Sequence, residues 1–173
     1  MRVLGAVLAG GLSRRFGSDK AAALFEGTTL LERVLRTLSQ QCDAVLVCGG
    51  PGGIADRPAG GHGPLAGINA ALHAGAAGAF DAVLSAPCDA PLLPADLRTQ
   101  LAGDGPAYVA GLPVIGFWPC SLAATLDAHL AGESDRSLRR WTARIGARAV
   151  RLPDDVPNIN TPEDLARLAR PKG

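Results

Sequence analysis

The chain has 173 residues, of which 47% are hydrophobic and 19% charged, and its formal net charge is +1. This length predicts a single domain over residues 1–173, with a core large enough to be stable alone. The near balance of charge excludes the basic field of a nucleic-acid binder and the polybasic patch of a membrane-surface protein, and no apolar run reaches transmembrane length.

Val3 to Leu8 is a short, continuously apolar run, as in a parallel strand buried on both faces. It leads into Val7-Leu8-Ala9-Gly10-Gly11-Leu12-Ser13-Arg14-Arg15-Phe16-Gly17-Ser18-Asp19-Lys20. Glycines let such a loop turn sharply and approach a ligand, and its successive free N–H groups form a nest for anionic oxygens. Arg14, Arg15 and Lys20 add three cations. Among 17 basic residues only Lys20 and Lys172 are lysines, so a lysine here marks a need for a compact ammonium, such as a point charge on phosphate. The spacing is neither the G-x-x-x-x-G-K-[ST] of a P-loop nor the G-x-G-x-x-G of a dinucleotide site. Two readings stand: a loop that cradles a triphosphate, or a strand-to-helix turn with exposed basic residues.

Thr29-Leu30-Leu31-Glu32 reads as a capping box, and Leu31, Val34, Leu35 and Leu38 repeat at helical spacing, which predicts a helix over 29–40. Asp43 to Val47 reads as the next buried strand, ending in a glycine-rich loop from Cys48 to Gly53. Asp81 to Ser85 echoes it almost residue for residue, with the same job: an Asp entering a central strand. Between them Pro64 suits the start and Gly75 the end of a helix on which Leu65, Ile68 and Leu72 share a face. This alternation is the doubly wound α/β pattern, with right-handed crossovers. Such sheets bind ligands beyond the carboxyl ends of their strands, so loops 9–20, 48–56 and 86–91 should share one rim, with Asp89 facing the glycine loop.

Farther along, Pro94 to Leu101 predicts a short helix, and Val109 to Trp118 strand-like pieces broken by Gly111, Pro113 and Gly116. Leu122 to Leu130 and Leu138 to Ile145 read as helices, the second with an inward stripe of Leu138, Trp141 and Ile145. Ala147 to Leu152 is the last strand, and Thr161 caps a terminal helix over 162–170.

Asp89 stands in Ala86-Pro87-Cys88-Asp89-Ala90-Pro91, where two prolines fix the backbone at a strand end. It suits Mg²⁺, which takes one or two carboxylates plus substrate phosphates, or equally a turn that caps the following helix. Asn158 and Asn160 point the same way if the segment is extended, offering amides to a polar ligand, or they belong to a turn before the last helix. His73 and His129 have no acid, base or nucleophile motif near them in sequence, while His62 lies in a loop on the substrate side. The run Arg136-Ser137-Leu138-Arg139-Arg140 is a solvated helix face or a docking patch for an anionic phosphate or partner. Cys42, Cys48, Cys88 and Cys120 show neither C-x-x-C nor ligand spacing, so they read as reduced, mostly buried thiols. With no secretory signal ahead of the first strand, the expected location is the cytoplasm.

Leu8-Ala9-Gly10-Gly11 with Ser13, Arg15, Gly17, Asp19 and Lys20 resembles the L-A-G-G-x-S-x-R-M-G-x-D-K signature of the molybdenum cofactor guanylyltransferases. Gly63-Pro64-Leu65-Ala66-Gly67, Pro87-Cys88-Asp89-Ala90-Pro91 and Asn158-Ile159-Asn160-Thr161-Pro162-Glu163-Asp164-Leu165 match further blocks in order, so the resemblance spans nearly the whole chain. It implies a Rossmann-like three-layer α/β/α sandwich with a mostly parallel central sheet, of the nucleotide-diphospho-sugar transferase type. It implies transfer of GMP from GTP to the terminal phosphate of molybdopterin or Mo-molybdopterin, with release of pyrophosphate. By the same resemblance Leu8, Ala9, Gly10 and Gly11 hold guanine and line the phosphates, and Lys20 contacts the phosphates. Arg15 sits by the reacting phosphates, Asp89 binds Mg²⁺, Asp56 helps bind the nucleoside, and Asn158 and Asn160 face the pterin. Proteins of molybdenum cofactor biosynthesis or molybdoenzyme chaperones are the implied protein partners; no nucleic acid or membrane is expected.

Phe16 replaces the usual Met, and Cys48 stands where the family pattern has a polar Asn that touches the nucleotide. Backbone groups of Gly49 and Gly50 are the expected substitutes. Three alternatives stay open: a CTP-dependent molybdopterin cytidylyltransferase, another small-molecule-phosphate nucleotidyltransferase, and a non-catalytic module that binds a nucleotide and delivers cofactor. Gly10 argues against the cytidylyl form, which resembles L-A-A-G there.

Overall fold

The computed structural model describes residues 1–10, 22–60, 62–132 and 135–168. In chain order the elements are β1 (Val3–Leu8), β2 (Leu24–Phe25), β3 (Thr28–Thr29), α1 (Leu30–Ser39), β4 (Ala44–Cys48), α2 (Pro64–Ala77), β5 (Ala82–Pro87) and α3 (Leu97–Leu101). They continue with β6 (Ala107–Val109), β7 (Leu112–Pro119), α4 (Ala123–Gly132), α5 (Leu138–Arg144), β8 (Arg148–Val150) and α6 (Pro162–Leu168). β2 and β3 form a small antiparallel hairpin. The other six strands form one sheet in the order β4-β1-β5-β7-β6-β8. Only β7 runs against the rest, so the sheet is mixed but mostly parallel.

All six residues of β1 are buried, because helices cover both faces of the sheet. Val3 and Val7 pack with Val34 and Leu38 of α1 and with Leu97 and Leu101 of α3. Leu4 and Leu8 point the other way, into Leu65 and Leu72 of α2, Leu126 of α4 and Trp141 of α5. Each large apolar side chain buried this way contributes about 1.5–3 kcal/mol. The result is the expected three-layer α/β/α arrangement.

The capping box at Thr29 is present in full: Thr29 Oγ1 accepts from the Glu32 N–H at 3.1 Å, and Glu32 Oε2 accepts from the Thr29 N–H at 3.0 Å. Asp43 and Asp81 do share a job. The Asp43 carboxylate accepts from the Val3 N–H at 2.7 Å and the Asp81 carboxylate from the Arg2 N–H at 2.6 Å, so the two acids tie down the start of β1 from its two neighbours. The terminal helix is capped as predicted, with Thr161 Oγ1 accepting from the Asp164 N–H.

Several expectations change. β4 is an edge strand, half-buried rather than central, and an apolar run alone does not tell the two apart. Gly75 lies inside α2, which continues to Ala77; a Cβ there would stand 2.7 Å from Cys120 Sγ, so this glycine serves packing rather than termination. The segment from Val109 to Trp118 is one hairpin. It turns at Ala110–Gly111 and then runs as a continuous β7. β5 pairs with β7 only as far as Gly116, so Pro113 sits where β7 has lost that neighbour, and a missing N–H costs little there. Gly116 is small because the Trp118 indole, two residues on and on the same face, covers it. α3 starts at Leu97 rather than Pro94, and β8 is shorter than predicted.

Candidate functional site

The carboxyl ends of β4, β1 and β5 lie side by side, with Leu8 in register with Cys48 on one flank and Pro87 on the other. Backbone bonds lace the loops that follow. The Ala9 N–H donates to the Cys48 carbonyl at 2.9 Å, and the Cys88 N–H to the Leu8 carbonyl at 3.1 Å. Gly10 and Gly49 then come into close backbone contact. A Cβ on Gly49 would lie 2.7 Å from the Gly10 Cα, and Gly49 has φ +71°, a conformation that L side chains rarely adopt. Gly11, Arg15 and Lys20 lie outside the described residues.

Asp56 joins this rim from the loop after β4. Its carboxylate oxygens stand 3.5 Å from the point where a Cβ would grow from Gly10 and, on the other side, from Gly67 of α2. The absence of a side chain at Gly67 also lets α2 approach Leu8, whose Cδ2 lies 3.1 Å from that point. The loop is tied at Ile54, which bridges to Cys48, and at Arg57, whose N–H donates to the Ala66 carbonyl at 3.1 Å.

Cys48 turns its side chain into the core beneath α2 and is 1% exposed. Burial, with a smaller contribution from the Asp56 carboxylate, pushes its thiol up to about 12, so it stays neutral. It therefore offers no polar group at the position where the family pattern has Asn. What the rim presents there is backbone: Gly49, Gly50 and Pro51 join Ala9, Val47 and Glu32 around a cavity of about 300 Å³. The share of α1 in this wall, through Leu31 and Glu32, was not legible in the sequence, where both residues read only as helix-forming and capping groups.

Asp89 sits in the turn after β5, half-buried. Asn158 orients its amide nitrogen toward this carboxylate, 2.5 Å from one oxygen and 3.2 Å from the other; the reverse assignment would face oxygen to oxygen. The Ile159 N–H donates to the Asp89 carbonyl at 2.8 Å, and the Ile159 side chain is fully buried with Phe25 and Leu30. Asn160 is exposed, and its backbone N–H donates to Asp164 at 3.0 Å. Of the two amides, then, the structure brings Asn158 against Asp89. Among the described residues no group of three or more His, Cys, Asp or Glu side chains could hold a metal. A single carboxylate on a rim does fit Mg²⁺, which fills its other positions with phosphate oxygens and water.

A second cavity, of about 440 Å³, opens at the carboxyl ends of β6 and β8. Val109, Gly111 and Leu112 line one side, and Arg151, Asp154 and Asp155 bring charge to the other. Gly111, Leu112, Pro113 and Val114 carry no polar side chain, and the charges come from the segment after β8 instead.

The histidines separate. His129 is buried with its ring 5.3 Å from that of Trp141. His62 Nδ1 lies 2.8 Å from Arg136 Nη1. His73, which has no acid near it in sequence, has its Nε2 2.9 Å from the Asp127 carboxylate. Arg139 and Arg140 are exposed on α5, as a solvated helix face requires. No helix among the described residues is long and apolar enough to cross a membrane.

Known proteins share this architecture and sequence. A protein from Rhizobium leguminosarum bv. trifolii named molybdenum cofactor guanylyltransferase is 37% identical, over 97% of this chain and 92% of its own length. One of the same name from Rhodobacter capsulatus is 36% identical, over 96% and 95%. The crystal structure of molybdopterin-guanine dinucleotide biosynthesis protein A from Archaeoglobus fulgidus superposes with a TM-score of 0.66 at 22% identity, covering 95% of each chain, a likeness of fold. Residues 5–152 match the family model described as the MobA-like NTP transferase domain. With full-length relatives above a third identical and the family model covering most of the sequence, the chain belongs to the MobA-like NTP transferase family.

Proposed function

We propose that the protein joins the GMP part of GTP to the terminal phosphate of molybdopterin, with or without bound molybdenum, and releases pyrophosphate. The observation that carries this reading is the full-length match to molybdenum cofactor guanylyltransferases, and the rim that gathers Leu8, Ala9, Gly10, Asp56 and Asp89 supports it.

A phosphate oxygen of the acceptor attacks the α-phosphorus of GTP. A new P–O–P bond forms, the bond from the α-phosphorus to the bridging oxygen breaks, and its electrons leave with pyrophosphate. The attacking phosphate is already anionic, so no general base is needed, in keeping with the buried, neutral Cys48 at the rim. The protein's task is to hold the two phosphates in line and to offset charge on the leaving group. Leu8, Ala9, Gly10 and Gly11 bring backbone to the nucleotide, and Asp56 accepts from the nucleoside. Arg15 and Lys20 supply positive charge to the phosphates. Asp89, oriented by Asn158, is the carboxylate that would hold Mg²⁺, whose charge would offset that of the phosphate oxygens and so lower their repulsion of the anionic nucleophile. Asn160 is assigned to the acceptor side, and the cavity lined by Arg151 offers the acceptor space.

Calorimetric titration with GTP, CTP and ATP, with and without Mg²⁺, tests the nucleotide half of this reading. The expected result is tightest binding of GTP, strengthened by Mg²⁺. A preference for CTP would reassign the protein to cytidylyl transfer.

A further inference from the structure

One cluster of charged groups lies beside the rim without belonging to it. The Asp127 carboxylate of α4 takes two parallel bonds from Arg57, Nε to Oδ1 and Nη2 to Oδ2, each 3.1 Å. Asn69 Nδ2 of α2 donates to Oδ1 at 2.7 Å, and His73 Nε2 lies 2.9 Å from Oδ2. Asn69 is fully buried, and its Nδ2 also reaches the Arg57 carbonyl at 3.1 Å. Arg57 is thus held at three points: its N–H by the Ala66 carbonyl, its carbonyl by Asn69 and its guanidinium by Asp127. The residue before it is Asp56.

We propose that Asp127 is a positioning residue for the nucleotide: by clamping Arg57 it fixes where the Asp56 carboxylate stands beside Gly10, without touching the nucleotide itself. This rests on Asp56 being a nucleoside contact. α2 and α4 do not need the clamp to find each other, since Leu65, Ile68, Leu72, Leu126 and Leu130 already pack them together in the core. What the clamp adds is a fixed end to the partly exposed loop that runs from Ile54 to Arg57. The ion pair itself is on the surface, with the Arg57 side chain 53% exposed and that of Asp127 35% exposed, so removing it costs the fold little. The Arg57 hydrogen bonds, helped by Asn69 and His73, hold the Asp127 carboxyl far below the usual carboxylate range, so the clamp stays charged wherever the enzyme works.

A double-mutant cycle between positions 127 and 56 is the test, read as KM for GTP, kcat and melting temperature. Asp127→Ala should raise the GTP KM about tenfold, with kcat and the acceptor KM within about twofold of wild type. Arg57→Gln, which cuts the clamp from its other side, should do the same and serves if Asp127→Ala folds poorly. In an Asp56→Ala background, adding Asp127→Ala should change the GTP KM by less than about twofold, because the group being positioned is gone. If Asp56→Ala raises the GTP KM but neither clamp variant does, or if the Asp127→Ala effect persists undiminished without Asp56, the positioning role is overturned. If Asp56→Ala itself leaves the GTP KM unchanged, the nucleoside role of Asp56 is what fails, and the positioning role falls with it.

Discussion

Asn158 and Asp89 come from distant parts of the chain and meet at the carboxyl end of β5, side-chain amide on carboxylate, with the neighbouring Ile159 N–H on the Asp89 carbonyl. Both bonds depend on Ile159 being buried against Phe25 and Leu30, which brings the segment after β8 back to the turn after β5. The carboxylate proposed to carry Mg²⁺ is therefore oriented by a residue that needs no contact with metal or nucleotide.

Removing that orientation should slow the reaction without weakening GTP binding. Asn158→Ala is expected to lower kcat by about 10–100-fold, the usual range for a group that orients a metal ligand, with the GTP KM little changed. Asp89→Asn, which removes the charge itself, should cost more, about 10³-fold or greater, while the melting temperature holds. Steady-state kinetics over a Mg²⁺ titration checks both; Asn158→Ala with wild-type kcat would detach this pair from the chemistry.

The approach of Gly49 to Gly10 leaves no room for a methyl group. Gly49→Ala meets the Gly10 backbone and also places an L residue at positive φ, a strain of about 1–2 kcal/mol before any clash. The expected outcome is a lower melting temperature together with weaker GTP binding, measured by calorimetry. Unchanged GTP affinity would place the nucleotide away from this contact.

The capping box offers a control that separates stability from activity. Thr29→Ala should remove about 1 kcal/mol, or about 2–4 °C of melting temperature for a chain of this size. kcat should not move, because the Thr29 hydroxyl and N–H both bond to Glu32 and no step of the reaction falls to either.

Cys48 gives a pH dependence with a definite sign. An unfolded thiol titrates near 8.5. In the folded chain burial pushes the Cys48 thiol up to about 12. Between these values the unfolded chain has lost the proton and the folded chain has kept it, so this group makes stability fall as pH rises, by at most about 1.4 kcal/mol per pH unit. Urea denaturation at pH 8 and pH 10 should show a shallower loss for Cys48→Ala than for wild type; equal slopes would mean the thiol is not held neutral.

What was legible in the sequence were the features written in local pattern. The six-residue apolar run of β1, the capping box at Thr29 and the matching Asp43 and Asp81 all appear where the sequence puts them, because each is decided within a few residues. The rim was legible too, since strand ends of a doubly wound sheet must share an edge. Long-range packing was not. Nothing near Gly75 announces Cys120 across the helix, and nothing near His73 announces Asp127. Cys48 reads as a gap in a polar motif, and only its orientation under α2 shows that it belongs to the core. The Asp89–Asn158 pair needed the buried Ile159, between half-buried Asn158 and exposed Asn160, to be seen as an anchor.

The most direct test of the central claim is the reaction itself: purified protein, Mg²⁺, molybdopterin and GTP labelled at the α-phosphorus, with the pterin product and pyrophosphate measured together. The account predicts label in a molybdopterin guanine dinucleotide, one pyrophosphate released for each, and both products formed about 10³-fold more slowly, or slower still, with Asp89→Asn. Labelled product from CTP but not from GTP, or pyrophosphate release that does not depend on molybdopterin, would contradict it.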